Sequence, residues 1–340
     1  MLAVVKEKIG PGYVLKEVEV PVIQEDEVLI KVDSVGICGS DIPILKGVRQ
    51  VPIPLIPGHE FSGVIVETGS KVLKFKKGER VTPGLVRNCG KCLPCREGLE
   101  SLCDNLLETG IHLDGAFTEY VAVPESTLHL MPDNMSFVEG ASVDPVASAY
   151  RPVRKAGVSP EDVVVIFGPG PIGLYALQIA KAYGAKKAIM VGTRESRLKL
   201  ARELGADETI NIGEKKEDPV KKIWEFTQGV MADVIIEATG VASSVEMCIQ
   251  SLKKNGRLSL AGIFHEPVTI SQLDQVVRKE INIQGSICYT WKDFQSCIDL
   301  ISAGKVKVDR IVTHELPLKD IAKALELIDT RQAMKVVLHP

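Results

Sequence analysis

The run Val163–Phe167 (VVVIF) is unbroken apolar sequence, and Gly168-Pro169-Gly170-Pro171-Ile172-Gly173 follows it at once. A continuous apolar run reads as a strand buried on both faces. Beyond the glycines, Ile172, Ala176, Ile179, Ala180 and Tyr183 recur on one face of a helix. A GxGxxG between a buried strand and a helix predicts a dinucleotide-binding turn in a doubly wound parallel sheet. The first glycine permits the turn, the second lets backbone approach a pyrophosphate, and the third packs helix on strand. The helix N-terminus then offers free N–H groups to the anion. A glycine-rich turn with no ligand is the plainer alternative.

The flanking sequence extends the pattern. Strands are expected at 188–191 (AIMV), 234–237 (VIIE), 258–261 and 281–283, with a helix over 197–204. This βαβ alternation predicts an α/β fold of Rossmann type. Up to about Pro132 the chain differs: short β-like runs at 27–32, 63–66 and 117–123 are broken by Gly and Pro. That argues for an antiparallel, barrel-like domain with long loops. After Ser286 come a helix at 294–301, a strand at 311–313, a helix at 321–328 and a closing strand at 335–338 that could rejoin the first domain. The expected organisation is a catalytic β domain over 1–145, an inserted dinucleotide-binding domain over 146–286, and a return to the first domain over 287–340. A length of 340 residues suits two domains.

Composition excludes several classes. Apolar residues are 45% and charged residues 25%, ordinary for a globular chain and contrary to disorder. With 41 basic and 44 acidic residues the net charge is −3, and no block of like charge supplies phosphate attraction; nucleic acid is not an expected partner. No stretch of about 18 apolar residues suggests a membrane span. Residues 1–10 alternate charged and apolar positions without a signal-peptide run, so the cytoplasm is the expected location.

The end of the second strand bears on which dinucleotide binds. An NAD site usually has Asp or Glu there, for the ribose hydroxyls. Here Gly192 holds that position, followed by Thr193-Arg194-Glu195-Ser196-Arg197. Loss of the carboxylate removes repulsion of a 2′-phosphate, which Thr193 and Arg194 could bind, so NADP is expected over NAD. In the alternative, Arg194 and Arg197 are solvated and Glu195 turns back to the ribose.

Four of the eight cysteines, Cys89, Cys92, Cys95 and Cys103, cluster in a Gly/Pro-rich excursion at about 87–105. Four thiolates close a tetrahedron around zinc and leave no open position, which makes the site structural. Two disulfides, reduced core thiols or a rubredoxin-type iron are the other readings. Cys38, in Gly36-Ile37-Cys38-Gly39-Ser40-Asp41, and His59-Glu60, in Pro57-Gly58-His59-Glu60-Phe61, lie in glycine-flanked turns. Either alone reads as a packed core residue. Together, beside a dinucleotide fold, they suggest a mixed S/N/O zinc site whose open position would acidify a bound oxygen.

GICGSD (36–41), PGHEFSG (57–63), the four-cysteine lobe, GPGPIG (168–173), ATG (238–240) and VTHELPL (312–318) resemble, in order and interval, the zinc-dependent medium-chain dehydrogenase/reductases, polyol dehydrogenases in particular. The resemblance covers essentially the whole chain. It implies a GroES-like catalytic domain with an inserted Rossmann domain, a catalytic and a structural zinc, and interconversion of a secondary alcohol, most simply a polyol or sugar alcohol such as sorbitol, iditol or a galactitol phosphate, with its ketone. Cys38 and His59 become zinc ligands, and Glu60 a ligand or a carboxylate just behind. Asp144 takes a position where polyol dehydrogenases have Glu; being one methylene shorter, it reaches the metal through water or after a backbone shift. Ser40 becomes the proton relay and Asp41 an orienting carboxylate. Pro43 stands where many relatives place the relay's outer His, so the proton would leave through ribose and water. Thr239-Gly240-Val241, Ala261-Gly262-Ile263 and Ser286 would line the nicotinamide side, with Arg197 near the adenosine ribose. A homodimer or homotetramer through the edge strand 281–286 is implied. Rival readings are a dehydrogenase of simple secondary alcohols or a threonine-like substrate, a zinc-free quinone reductase relative, which Cys38 and His59 oppose, and a zinc-ribbon nucleic-acid module, which the charge balance opposes.

Overall fold

The parallel sheet is centred on Val163–Phe167, as its apolar sequence requires. In the computed structural model, which describes residues 1–340, six strands run in the spatial order Glu208–Asn211, Lys187–Gly192, Val163–Phe167, Ala232–Glu237, Leu252–Leu260, Asn282–Gly285. Every neighbouring pair is parallel. Helices Pro171–Ala182, Glu195–Glu203, Pro219–Phe226 and Ala242–Ser251 connect them. From Val163–Phe167 the chain steps to one side to form Lys187–Gly192, then returns to form Ala232–Glu237 on the other. The order therefore reverses beside the central strand, where such sheets open a crevice at their carboxyl ends. Val165, Phe167, Ile189, Val191, Ile210 and Ile235 are buried in one cluster. Truncating a core aromatic such as Phe167 to Ala costs about 3–5 kcal/mol. The strand Glu208–Asn211 is not evident in the sequence because ETIN is too short and polar to show a period.

The chain divides into two compact units. This sheet belongs to one, Val146–Tyr289 with Lys305–Lys307; the other comprises Met1–Pro145, Thr290–Gly304 and Val308–Pro340. The second unit is built on a seven-stranded sheet whose longest member is Glu27–Gly36. One edge of that strand pairs with Glu60–Thr68, antiparallel, with Gly36 opposite Glu60. Its other edge is shared: Tyr120–Pro124 covers residues 27–31, and the closing strand Lys335–His339 covers Val35 and Gly36. The closing strand also lies parallel to Val312–Pro317.

One expected strand is displaced. Pairing starts at Tyr120 rather than 117, and within 117–119 only Thr118 forms a bridge, to Ala3. Phe117 is instead committed to the turn before His59: its N–H donates to Pro57 O at 2.9 Å, and its ring packs on Gly58.

Candidate active site

The antiparallel register gathers the first group of polar residues. Because Gly36 faces Glu60, Cys38 lies just past the end of one strand while His59 immediately precedes the other. Gly58 has φ +95°, and a Cβ there would sit 2.6 Å from the Phe117 ring; this turn requires glycine and fixes His59. The ligand atoms of Cys38, His59 and Glu60 all lie within 4.8 Å of one another. His59 and Glu60 are buried, and Cys38 is half-buried.

Asp41 opens the helix Asp41–Leu45 and is fully buried behind this set. Its Oδ2 accepts from the Cys38 N–H at 2.8 Å, and its Oδ1 lies 3.5 Å from His59 Nδ1. That second approach is not aligned as a hydrogen bond, which leaves His59 Nδ1 and Asp41 Oδ1 as buried atoms without partners. Orphaned groups of this kind cost about 1–3 kcal/mol each. Burial opposes protonation of His59, but Asp41 first and then Cys38 outweigh it and raise the imidazole well above its ordinary value. Burial raises the Asp41 carboxyl in turn, with His59 opposing. Sulfur, imidazole and carboxylate, crowded together with unmet polar atoms, form a donor set that fits zinc.

Asp144 is buried in the first turn of the helix Val143–Lys155. Its carboxylate lies outside the mutually close set, although its charge contributes to raising His59. Ser40 occupies the N-cap position of Asp41–Leu45, yet its side chain makes no capping bond, so that hydroxyl is not spent on the helix.

Two buried charged residues, one in each unit, carry no motif in the sequence. Lys335, at the start of the closing strand, is buried and pairs with Glu60 Oε2, while its Nζ donates to Ile37 O at 2.8 Å. Burial lowers the Lys335 pKa, but Glu60 foremost outweighs it and raises it. A lysine directly before the apolar run Val336-Val337-Leu338 was the available signal. Glu237, ending the strand Ala232–Glu237 after the apolar run Val234-Ile235-Ile236, is the second such residue.

The four clustered cysteines are brought together by the short helix Leu93–Arg96 and the turn Glu100–Leu102, with all four sulfurs within 4.8 Å of one another. Cys92 Sγ stands 3.3 Å from Cys95 Sγ and 3.9 Å from Cys103 Sγ. Disulfides need about 2.05 Å, whereas sulfurs about 2.3 Å from a shared zinc sit near these spacings. Backbone N–H groups of Cys89 and Asn105 point at Cys103 Sγ, and that of Cys92 at Cys89 Sγ. Hydrogen bonds from the Lys91 and Cys92 N–H groups bring Cys89 down to about 6, while burial pushes Cys103 up to about 11.

In the other unit, the glycine-rich turn has the expected form. Gly168 has φ +104°, and a Cβ on Gly173 would stand 1.9 Å from Gly168 O. Above Gly170, the N-cap of Pro171–Ala182, a Cβ would meet nothing within 4 Å, which is the open space a pyrophosphate requires. A side chain at Gly192 would collide with Pro169, 2.5 Å away. Glu195 opens the helix that follows this strand. Its carboxylate accepts from Arg202 at 2.6 Å and Asn211 at 3.1 Å, with Lys215 at 3.4 Å. Thr193 is exposed, and Arg194 and Arg197 are half-exposed. The turns Thr239-Gly240-Val241 and Ala261-Gly262-Ile263 meet at adjacent strand ends, and Val241 and Ile263 are exposed there. The Ser286 N–H donates to Leu260 O at 2.9 Å, and its buried Oγ has no partner.

A parallel sheet with this turn and a β unit with this donor set define a nicotinamide-dependent zinc dehydrogenase. Comparison with known proteins agrees. Residues 24–133 match the alcohol dehydrogenase GroES-like domain family and residues 171–303 the zinc-binding dehydrogenase family. A sorbitol dehydrogenase of Halalkalibacterium halodurans is 35% identical, covering 100% of this chain and 99% of its own. An L-threonine 3-dehydrogenase of Bacillus licheniformis is 34% identical with the same coverage. Among solved structures, a protein described as a zinc-binding dehydrogenase from Sinorhizobium meliloti, bound to NADP, superposes with a TM-score of 0.93. It is 31% identical and covers 100% of this chain and 99% of its own. The chain belongs to the zinc-dependent medium-chain dehydrogenase/reductase family, and it is an oxidoreductase of the alcohol/polyol dehydrogenase kind.

Proposed function

We propose that the protein interconverts a secondary alcohol, a polyol or sugar alcohol in particular, with its ketone, and uses NADP in preference to NAD. The observation that carries this reading is the close S/N/O set of Cys38, His59 and Glu60 with its orphaned buried atoms. Those three residues would hold a catalytic zinc, with Asp144 joining through water, and Cys89, Cys92, Cys95 and Cys103 would hold a structural one. When bound, zinc supplies the Lewis acidity that acidifies an alcohol, and the nicotinamide supplies the hydride acceptor.

The chain's own residues do the remainder. The Ser40 hydroxyl takes the substrate's O–H proton and passes it outward to ribose and water, since Pro43 offers no proton-carrying group. Asp41 anchors Cys38 through its N–H and stands ready to orient His59. The N–H groups at the start of Pro171–Ala182 bind the pyrophosphate. Gly192, packed under Pro169, brings no negative charge to the adenosine ribose, and the Glu195 carboxylate is engaged by Arg202 and Asn211. Thr193 and Arg194 then receive a 2′-phosphate, with Arg197 near the adenosine ribose. Thr239, Gly240, Val241, Ala261, Gly262, Ile263 and Ser286 line the nicotinamide, with Val241 and Ile263 as an apolar lip for its ring.

A small amino alcohol of the threonine kind is the second reading, favoured by the B. licheniformis relative. A panel of polyols, polyol phosphates, simple secondary alcohols and L-threonine, assayed with both cofactors, separates the two. The proposal expects a polyol to give the highest kcat/KM with NADP, and Cys38→Ala to abolish that activity. Inactivity with every polyol, or activity surviving Cys38→Ala, contradicts it. We also propose a cytoplasmic location and a homodimer or homotetramer. The sheet ends in the short edge strand Asn282–Gly285, and Ile283 and Ile287 beside it are exposed. No helix is long and apolar enough to cross a membrane.

A further inference from the structure

We propose that Glu237 is a positioning residue for the nicotinamide half of the cofactor, and that its charge favours the oxidised ring over the reduced one. This rests on the reading that residues 239–241 and 261–263 line that ring. The Glu237 side chain is fully buried at the carboxyl end of Ala232–Glu237, beside the strand that carries the glycine-rich turn. Its Oε1 accepts from the Thr239 N–H at 2.8 Å, from the Ser244 hydroxyl at 2.8 Å and from the Thr239 hydroxyl; Oε2 accepts from the Gly240 N–H at 3.2 Å. Donors thus meet both oxygens, and none of the hydrogen-bonding partners is cationic. Beneath it, burial first and then the negative charge of Glu237 push the Cys248 thiol well up.

The same residue ties the second turn. Its carbonyl accepts from Ala261 N–H at 2.8 Å and Gly262 N–H at 3.0 Å. A Cβ on Gly262 would lie 2.2 Å from Gly240 N and 2.5 Å from Glu237 Oε2; one on Gly240, whose φ is +66°, would lie 2.4 Å from Ile263 O. The two turns are therefore pressed together around one carboxylate. They stand on the opposite side of Val163–Phe167 from Gly192, the end that receives adenosine, so a dinucleotide crossing the glycine-rich turn brings its other end here.

A buried carboxylate is costly to keep, and neutral side chains of similar size fill such places more cheaply. What a charge adds is discrimination between two ligands alike in shape and different in charge. Oxidised and reduced nicotinamide are such a pair: the oxidised ring carries one more positive charge. With no cation among its hydrogen-bonding partners and buried from water, Glu237 attracts the oxidised form selectively.

The test is direct titration of the intact, zinc-loaded enzyme with NADP⁺ and with NADPH, by calorimetry and by the fluorescence of the reduced form. Glu237→Gln keeps the shape and removes the charge; the ratio of the oxidised to the reduced Kd is expected to rise about three- to tenfold. Glu237→Asp keeps the charge and is expected to hold the ratio within about twofold of wild type, even where both affinities weaken. Equal weakening of both forms in Glu237→Gln, or no change, overturns the proposal. Thr239→Val removes one neutral donor and leaves the charge, providing an arm that does not depend on the Gln variant folding: a preserved ratio supports the charge account and a raised ratio contradicts it. A wild-type enzyme that binds neither form contradicts the cofactor reading instead.

Discussion

Lys335, at the head of the last strand, and Glu60, at the head of the strand behind His59, form an ion pair in which both side chains are buried. The lysine's second bond, to Ile37 O, reaches the residue before Cys38. One ammonium thus ties together the two segments that carry the candidate ligands. The pair also accounts for Gly36: a Cβ there would stand 2.5 Å from Glu60 Oε2 and 3.1 Å from Lys335 Cε.

Breaking this pair from one side leaves a buried charge without compensation. Lys335→Met is expected to cost about 3–5 kcal/mol of stability and to weaken zinc binding. Replacing both partners, Lys335→Met with Glu60→Leu, is expected to cost less stability than the single change. Urea unfolding of the three proteins checks this; a harmless Lys335→Met contradicts the role given to the pair.

Metal content by elemental analysis distinguishes the two sets of donors. Wild type is expected to hold two zinc ions per chain, with Cys38→Ala losing one and Cys95→Ser losing the other. Cys38→Ala should fold with the lobe intact, whereas Cys95→Ser should also lower the melting temperature, because a closed thiolate site stabilises the loop it ties. A Cys95→Ser protein that keeps both ions contradicts the assignment.

Cofactor choice should depend on Arg194 and not on Glu195. A charge-assisted hydrogen bond contributes about 1.5–3 kcal/mol, so Arg194→Ala is expected to lower the NADP-over-NAD preference about ten- to a hundredfold. Glu195→Gln should change it by less than about twofold, because that side chain is engaged by Arg202 and Asn211. Ratios of kcat/KM for the two cofactors measure both.

Acid sensitivity gives Glu195 a second readout. The hydrogen bond from Arg202 first, then that from Asn211, holds its carboxyl down to about 2 from an ordinary 4.5. A depressed carboxyl stabilises the fold fully above its unfolded value, and that contribution is lost as pH falls through the folded one. Between about pH 5 and pH 2 wild type should therefore lose more stability than Glu195→Gln, as the urea midpoints of the two proteins would show. Equal loss contradicts this assignment.

The sequence disclosed what repeats a local rule. Val163–Phe167 is apolar because both its faces are covered, and the glycines after it are fixed by contacts as close as Gly173 against Gly168 O. Cys38 and His59 stand in glycine turns for equally local reasons. Pairings across the chain were not legible: nothing near Glu60 points to Lys335, because only the sheet order of the closing strand brings them together. Glu237 was likewise hidden, directly after the apolar run Val234-Ile235-Ile236 of its strand. Phe117 was expected in a strand because its aliphatic and aromatic neighbours fit one, but its packing on Gly58 prevailed.

The most direct measurement is anomalous diffraction at the zinc edge from crystals of the protein grown with zinc and NADP. Two peaks per chain are predicted, one inside the four-cysteine lobe and one about 2.0–2.3 Å from both Cys38 Sγ and a ring nitrogen of His59. A single peak in the lobe, with Cys38, His59 and Glu60 packed against one another, would contradict the account.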